Sequence, residues 1–415
     1  MSFKGCFEKI QDGLEKIRFL GSGGASGASR GETQPGAEDK LTDKLTLTHF
    51  ALPGLSCVKS VTVEKWIALG LFGLLFFIPL FCSMYSQLVF GKFISYMIFA
   101  LALDILWGYA GLMNLGFALF FGLGGYILGI SLSCQNGLPA FMEFGGLSQI
   151  PLLYRPLLNI PFAFLMGLLV PAAVAFVLGL FIFYSKIKGV FYNLITLALA
   201  ALFELLLATK QMYTGGSSGI NGIAGGLDKI TFFGKNVSIT GWYYVGFFAL
   251  ILVYVLCRLL TKARFGSVIK SVRDNEARLQ FLGYNPAVFK IAVFTIAAFF
   301  AGFAGMIYLP MTSFISIEAA GVSFSTMILV WLAVGGRGNL TGAMAGALLV
   351  SFLQSKLSES FGNMWQLVLG VVLILIVYFL PKGIVGTLQD IQYNSRIARV
   401  MAESGMENSK SREEK

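Results

Sequence analysis

Ten apolar stretches follow one another along this chain, at about 66–86, 92–107, 108–133, 161–184, 188–210, 241–260, 288–310, 320–336, 338–357 and 364–381. A helix rises about 1.5 Å per residue and the hydrocarbon of a bilayer is about 30 Å thick, so most of these stretches are long enough to cross it. Unpaired backbone N–H and C=O groups find no water there, and continuously apolar runs of this length satisfy them as helices. The expected fold is an all-α polytopic membrane protein with about ten transmembrane segments. Eight to ten are full crossings, because the second, eighth and ninth stretches are short or broken by glycine. Composition agrees. Of 415 residues 56% are hydrophobic and 13% charged, with a mean hydropathy of +0.76, whereas a soluble domain carries about a quarter charged residues.

The loops carry the orientation. With ten crossings and the N-terminus inside, Lys186, Lys188, Arg337 and all of 261–290 fall on the cytoplasmic side, and the acidic connection around Glu318 falls outside, as the positive-inside rule requires. One crossing more or fewer in the first half would separate Lys186 and Lys188 from 261–290, so both termini are expected in the cytoplasm. The net charge of +10 is then a topology signal and a contact for lipid headgroups, and it calls for no nucleic acid. Three regions follow. Residues 1–60 are a polar tail with a short amphipathic helix (Phe7, Ile10, Leu14, Ile17) and a flexible Gly/Ser-rich linker, 61–388 the membrane domain, and 389–415 a second polar tail.

The densest charge in the membrane domain lies in 261–290, TKARFGSVIKSVRDNEARLQFLGYNPAVFK. Ser267 is expected to cap one helix of about four turns, Gly283 to end it in a left-handed conformation, and Asn285-Pro286 to start the next. Helical spacing gathers Val268, Val272, Leu279 and Leu282 on one stripe that includes Asn275, and turns Lys270, Arg273, Asp274 and Arg278 elsewhere. Phe281 falls on the charged side, where it gains little from its own protein and suits a partner's groove. A solvated positive-inside loop with an ordinary amphipathic turn accounts for the same residues.

Chemistry is sparse. Five scattered cysteines without a CxxC, and one histidine, His49, indicate neither a disulfide framework, a metal site nor a catalytic residue. There is no GxxxxGK[ST] loop, HExxH or GxSxG, so an enzyme is not expected and the chain should bind no ATP. Uphill transport then needs an ion gradient or an ATPase on another chain. Polar groups within spans are few: Asp104, Asn114, Asn193, Thr196 and Glu204. Such groups usually face a cavity or a partner, and Glu204 either lines a solute path or accepts a hydrogen bond from a neighbouring helix. Two glycine-rich stretches, Trp107 to Tyr126 and Val334 to Ala347, either pack helices closely or break them near mid-membrane.

Five stretches carry a resemblance: GYAGLMNLGFALFFGLGGY; ITLALAALFELLLA with TGGSSGING; RFGSVIKSVRDNEARLQFLGYNP; FFAGFAGMIYLP; and VGGRGNLTGAMAGALL with FLPKGIVG. In this order they make the chain from about 90 to 388 resemble the LivM-like permease subunits of ABC importers for branched-chain amino acids and urea. The resemblance implies a bacterial-type inner membrane protein that works with a second homologous permease, two cytoplasmic ATPase subunits that use the ATP, and an extracytoplasmic solute-binding protein. It also implies a coupling helix seated in the ATPase, with Ser267, Arg273, Asp274, Glu276, Arg278, Phe281, Leu282 and Gly283 as its residues. Many importer permeases read EAA with Gly six positions after the Glu. Here Glu276-Ala277-Arg278 precedes Gly283 by seven, as in the branched-chain and urea group. Asn114, Glu204 and Asn339 are the candidates for a solute path. TLALAALFEL with TGGSSGING looks like the amino-acid permeases. Gly335 to Leu340, RDNEARLQFLGY and WGYAGLMNLG look like the urea permeases, which favours urea or a small amide. An ion-coupled secondary transporter or a passive channel stays open as the alternative.

Overall fold

Hydrocarbon-length apolar runs become helices here wherever no left-handed glycine interrupts them. In a computed structural model of the chain, the described residues are 53–387, apart from 153, 188, 228, 230, 233–234 and most of 362–382. They fall into two units, one ending at Ala68 and the other spanning Leu69–Leu388. The described part of the first is the opening turns of α1. The expected tails, 1–60 and 389–415, lie almost wholly outside the described residues, as does most of the tenth stretch, 364–381.

The elements are α1 (Pro53–Phe81), α2 (Met84–Leu103), α3 (Ala118–Ser133), α4 (Ile160–Tyr184), α5 (Val190–Thr209), α6 (Ile239–Lys262), α7 (Arg264–Asp274), α8 (Glu276–Phe281), α9 (Pro286–Thr312), α10 (Val322–Gly335) and α11 (Leu340–Phe361). A π-helical turn, Asp104–Tyr109, prolongs α2, and two-residue strands Thr231–Phe232 and Lys235–Asn236 form a small hairpin. Among the described residues seven helices are long and apolar enough to cross a membrane, and α3 and α10 are shorter apolar helices. The second stretch, expected to be short, is a 26-residue span from Met84 to Tyr109. The shortening falls on the third, because 110–117 is not helical.

The helices alternate between two faces. On one face, α2, α6 and α10 end while α9 and α11 begin, with Lys186, Lys270, Arg273 and Arg337 nearby; we call it the basic face. On the opposite face Ile220 N donates to Ile315 O at 2.9 Å, Ser133 Oγ to Asn221 O at 2.9 Å, and Thr240 Oγ1 to Gln87 Oε1 at 2.8 Å. α11, with 22 residues, runs about 33 Å away from the basic face. Gly383, at φ +74°, lies against Gly336 there. This alternation puts Lys186, Arg337 and 261–290 on one side and Glu318 on the other, as the charge distribution predicts.

Between helices in lipid there is no hydrophobic drive, so close packing holds them. α9 is central. A Cβ on Gly305 would lie 2.0 Å from Phe121 O, and one on Gly124 2.2 Å from Gly302 O, so α3 and α9 touch backbone to backbone. Around this contact an aromatic cluster joins α2, α3, α9 and α10, with ring centroids 4.8 Å apart for Tyr96–Trp331, 4.9 Å for Phe99–Phe121 and 5.1 Å for Phe121–Phe324. α5 is peripheral and exposes Phe191, Leu194, Leu202 and Leu205.

Candidate functional site

The segment after α6 departs from the single helix that its spacing predicts. α7 begins at Arg264, three residues before Ser267, so Ser267 lies in its first turn and caps nothing. The helix stops at Asp274 because Asn275 is extended (φ −161°, ψ 100°), and the Asn275 side chain accepts from Arg278 N at 3.1 Å to start α8. Asn side chains compete in this way with helical backbone bonds. The break resets the helical phase. Ile269, Val272 and Leu279 are buried, Val268 is half-buried, and Leu282, expected on the inner stripe, is exposed. The C-terminal expectations hold: Gly283 has φ +83°, and Asn285 Oδ1 accepts from Ala287 N at 3.1 Å ahead of Pro286.

The outer surface of this two-piece element is formed by Ser267, Asp274, Arg278, Phe281 and Leu282, all exposed; Phe281 is 91% and Leu282 73% accessible. The inner surface is anchored twice. Glu276 pairs with Lys290, the fifth residue of α9, whose side chain is only 8% accessible and whose ammonium lies 5.9 Å from the Phe183 ring centroid. Arg273 Nη1 donates to Gly108 O at 2.7 Å, while its Nε reaches Asp274 Oδ1 at 3.1 Å. Two open cavities flank these pairs. One, of about 220 Å³, is lined by Gly111, Asn193, Arg273, Glu276 and Lys290 among others; the other, of about 310 Å³, by Lys186, Gln280 and Asn285 among others.

Arg273 thus meets the first glycine-rich stretch where its helix breaks. Asp104 is buried in the π-turn, and its Oδ1 accepts from Gly338 N at 2.7 Å. The second glycine-rich stretch breaks there, between α10 and α11. The Arg337 guanidinium lies 5.9 Å from the Trp107 ring and Lys270 Nζ 5.2 Å from the Tyr109 ring. Glycine serves both purposes in these stretches: breaks at 110–117 and 336–339, and close contact at Gly346, whose Cβ would lie 2.3 Å from Trp331 O.

The three solute-path candidates each hold backbone. Asn114, buried in the break after α2, accepts from Gly116 N at 2.8 Å and lies beside Tyr192. Asn339 Oδ1 accepts from Thr341 N at 3.2 Å and Gly342 N at 3.4 Å, capping α11. Glu204 Oε2 accepts from Val322 N at 3.3 Å, at the first residue of α10, where a carboxylate meets the positive end of the helix. Asn114 and Asn339 lie in the breaks near the basic face, and Glu204 lies toward the opposite one. The sequence reading passed over two charged residues. Lys290 follows an ordinary Asn-Pro helix start. Lys92 begins a predicted span yet lies about two turns inside the real one, with Nζ 5.6 Å from the Tyr96 ring centroid.

The family described as branched-chain amino acid transport system / permease component matches residues 87–377. The chain is 26% identical over 313 residues, 70% of its length and 67% of the relative's, to the high-affinity branched-chain amino acid transport system permease protein LivM of Escherichia coli. It is 25% identical over 330 residues, 70% of its length and 90% of the relative's, to the probable branched-chain amino acid transport permease protein LivM of Methanocaldococcus jannaschii. Similarity extends to the ribose import permease protein RbsC of Haemophilus influenzae, at 25% over 240 residues, 55% of this chain and 69% of that one. No solved structure matches the chain.

Proposed function

The chain belongs to the family of branched-chain amino acid transport system permease components, and we propose that 264–283 is its coupling element, docked on a separate ATPase at the cytoplasmic face. One observation carries this reading: the element is anchored inward by Glu276–Lys290, yet leaves Phe281 and Leu282 bare to solvent. An apolar pair held out on a stiff, charged support is the form of an interface anchor. ATP binding by two ATPase subunits would then shift the element and rock the helices rooted beneath it. A second homologous permease, an extracytoplasmic solute-binding protein and both termini in the cytoplasm of an inner membrane complete the proposal.

For the solute we propose urea or a small amide. Gly335 to Leu340 and Trp107 to Gly116 support this by their likeness to urea permeases. The hydrogen bond from Val322 N to Glu204 adds support, since it gives the carboxylate a task other than receiving an ammonium. Branched-chain amino acids are the second reading, favoured by the names of the relatives.

The test is uptake into proteoliposomes holding the permease pair and ATPases, with the binding protein supplied outside. ATP-driven uptake of radiolabelled urea is expected; ATP-driven leucine uptake without urea uptake would select the second reading. Uptake that persists without the ATPases and follows an ion gradient would refute the importer.

A further inference from the structure

A π-turn misplaces backbone hydrogen bonds, and the carbonyl it releases is the one Arg273 takes. Leu112 N, which would donate to Gly108 O in a continuing α-helix, donates instead to Leu106 O at 3.0 Å, and Ala110 N donates to Ile105 O at 3.3 Å. Buried backbone acceptors need partners, and the guanidinium of Arg273 supplies one from α7. Glycine makes the approach possible. A Cβ on Gly111 would lie 2.7 Å from Arg273 Cγ, and one on Gly108 would lie 2.0 Å from Asp104 Oδ1 and 2.4 Å from Gly338 N. One guanidinium–carbonyl bond therefore ties α7 to the break after α2. One carboxylate–amide bond ties that break to the one between α10 and α11.

We infer that Arg273 is the transmission residue of the coupling element, acting through Gly108 O on the π-turn and, by way of Asp104, on Gly338. It is therefore a positioning residue whose Nη1 reaches into the permease while 42% of its side chain stays accessible, distinct from the docking residues Phe281 and Leu282. This rests on the reading of 264–283 as the coupling element. A displacement of α7 pulls on the π-turn, whose backbone bonds already sit in an irregular register. The same pull reaches the α10–α11 break through Asp104, so two broken helices move together. The 220 Å³ cavity beside Arg273 leaves its guanidinium room to travel.

The test compares ATP hydrolysis with uptake in the reconstituted complex for Arg273→Ala, Arg273→Lys, Asp104→Ala and Asp104→Asn. Arg273→Ala and Asp104→Ala should retain the ATPase on purification and hydrolyse ATP within about twofold of the parent, while solute moved per ATP falls about tenfold or more, within the usual range of coupling between sites. Asp104→Asn, which keeps an acceptor oxygen for Gly338 N, should restore most of the ratio. Arg273→Lys keeps a charged donor without the planar fork and should be intermediate; it also serves if Arg273→Ala fails to insert. Loss of the ATPase from purified Arg273→Ala, or hydrolysis and uptake falling in parallel, would overturn the inference alone. A parent complex that holds no ATPase would overturn the coupling reading and this one with it.

Discussion

Phe281 separates docking from folding more cleanly than any other residue of the proposed coupling element. Its ring is 91% accessible, so its own protein gains almost nothing from it. Phe281→Ala should leave permease stability within about 0.5 kcal/mol, as surface substitutions do. If the ring is buried in a groove of the ATPase, the truncation removes about 2–3 kcal/mol, the worth of fully burying such a side chain. At about 1.4 kcal/mol per tenfold, that is a loss of about 30- to 150-fold in affinity. Phe281→Asp should lose more, since the groove would also have to desolvate a carboxylate. The assay is titration of purified ATPase against detergent-solubilised permease, paired with thermal unfolding of the permease alone. A change of less than about threefold in Kd for Phe281→Asp would remove the ring from the interface. A fall in permease Tm matching the loss of affinity would show that it packs on its own chain.

Other outcomes follow from the same geometry. Gly283→Pro, which forces φ from +83° to about −65° and deletes the donor to Gln280 O, should abolish uptake with insertion intact. Normal uptake would show that the end of α8 does not matter. Glu276→Ala strands the buried ammonium of Lys290 and should destabilise by about 3–5 kcal/mol, while Glu276→Ala with Lys290→Met should recover most of that in a thermal melt; no recovery would mean that the pair is not the anchor. In a variant lacking Cys6 and Cys57, a membrane-impermeant maleimide should label exposed Cys82 from outside intact cells; labelling only after permeabilisation would reverse the proposed orientation. Burial raises the Cys134 thiol to about 11, so its thiolate is scarce at neutral pH. Its labelling should climb about tenfold per pH unit towards that value; fast labelling at neutral pH would contradict its burial.

The apolar helices and the gathering of Lys186, Arg337 and 261–290 on one face were legible because both depend on properties that act residue by residue: apolar length against hydrocarbon thickness, and the placement of Lys and Arg. Boundaries were less so. The first stretch was expected to run to 86 and the second to start at 92, yet α1 ends at Phe81 and α2 starts at Met84, where the Gln87 amide reaches Pro79 O at 3.2 Å and its Oε1 accepts from Thr240 on α6. The 261–290 segment shows where periodicity fails. Val268, Val272, Leu279 and Leu282 fit one helix on a wheel, but a single Asn275 cap rotates everything after it. The inward reach of Arg273 had no sequence signature, since its acceptor is a backbone carbonyl 165 positions away. Glu204 was readable as a hydrogen-bond acceptor to a neighbouring helix, and it is one, although the donor is a helix-end amide.

The solute stays difficult to read for a physical reason that the same residues expose. Asp104, Asn114, Glu204 and Asn339 all accept from backbone amides at helix ends or breaks. In lipid those amides are costly to leave unpaired, so the polar groups of the membrane domain are largely accounted for by holding broken helices in place. These bonds are made whatever the cargo, so they do not by themselves select a sugar, an amino acid or an amide. The similarity of this chain to permeases named for ribose and for branched-chain amino acids is consistent with that. Discrimination then falls to surfaces that touch the solute without supporting the fold, and the extracytoplasmic binding protein proposed above has the most such surface to offer.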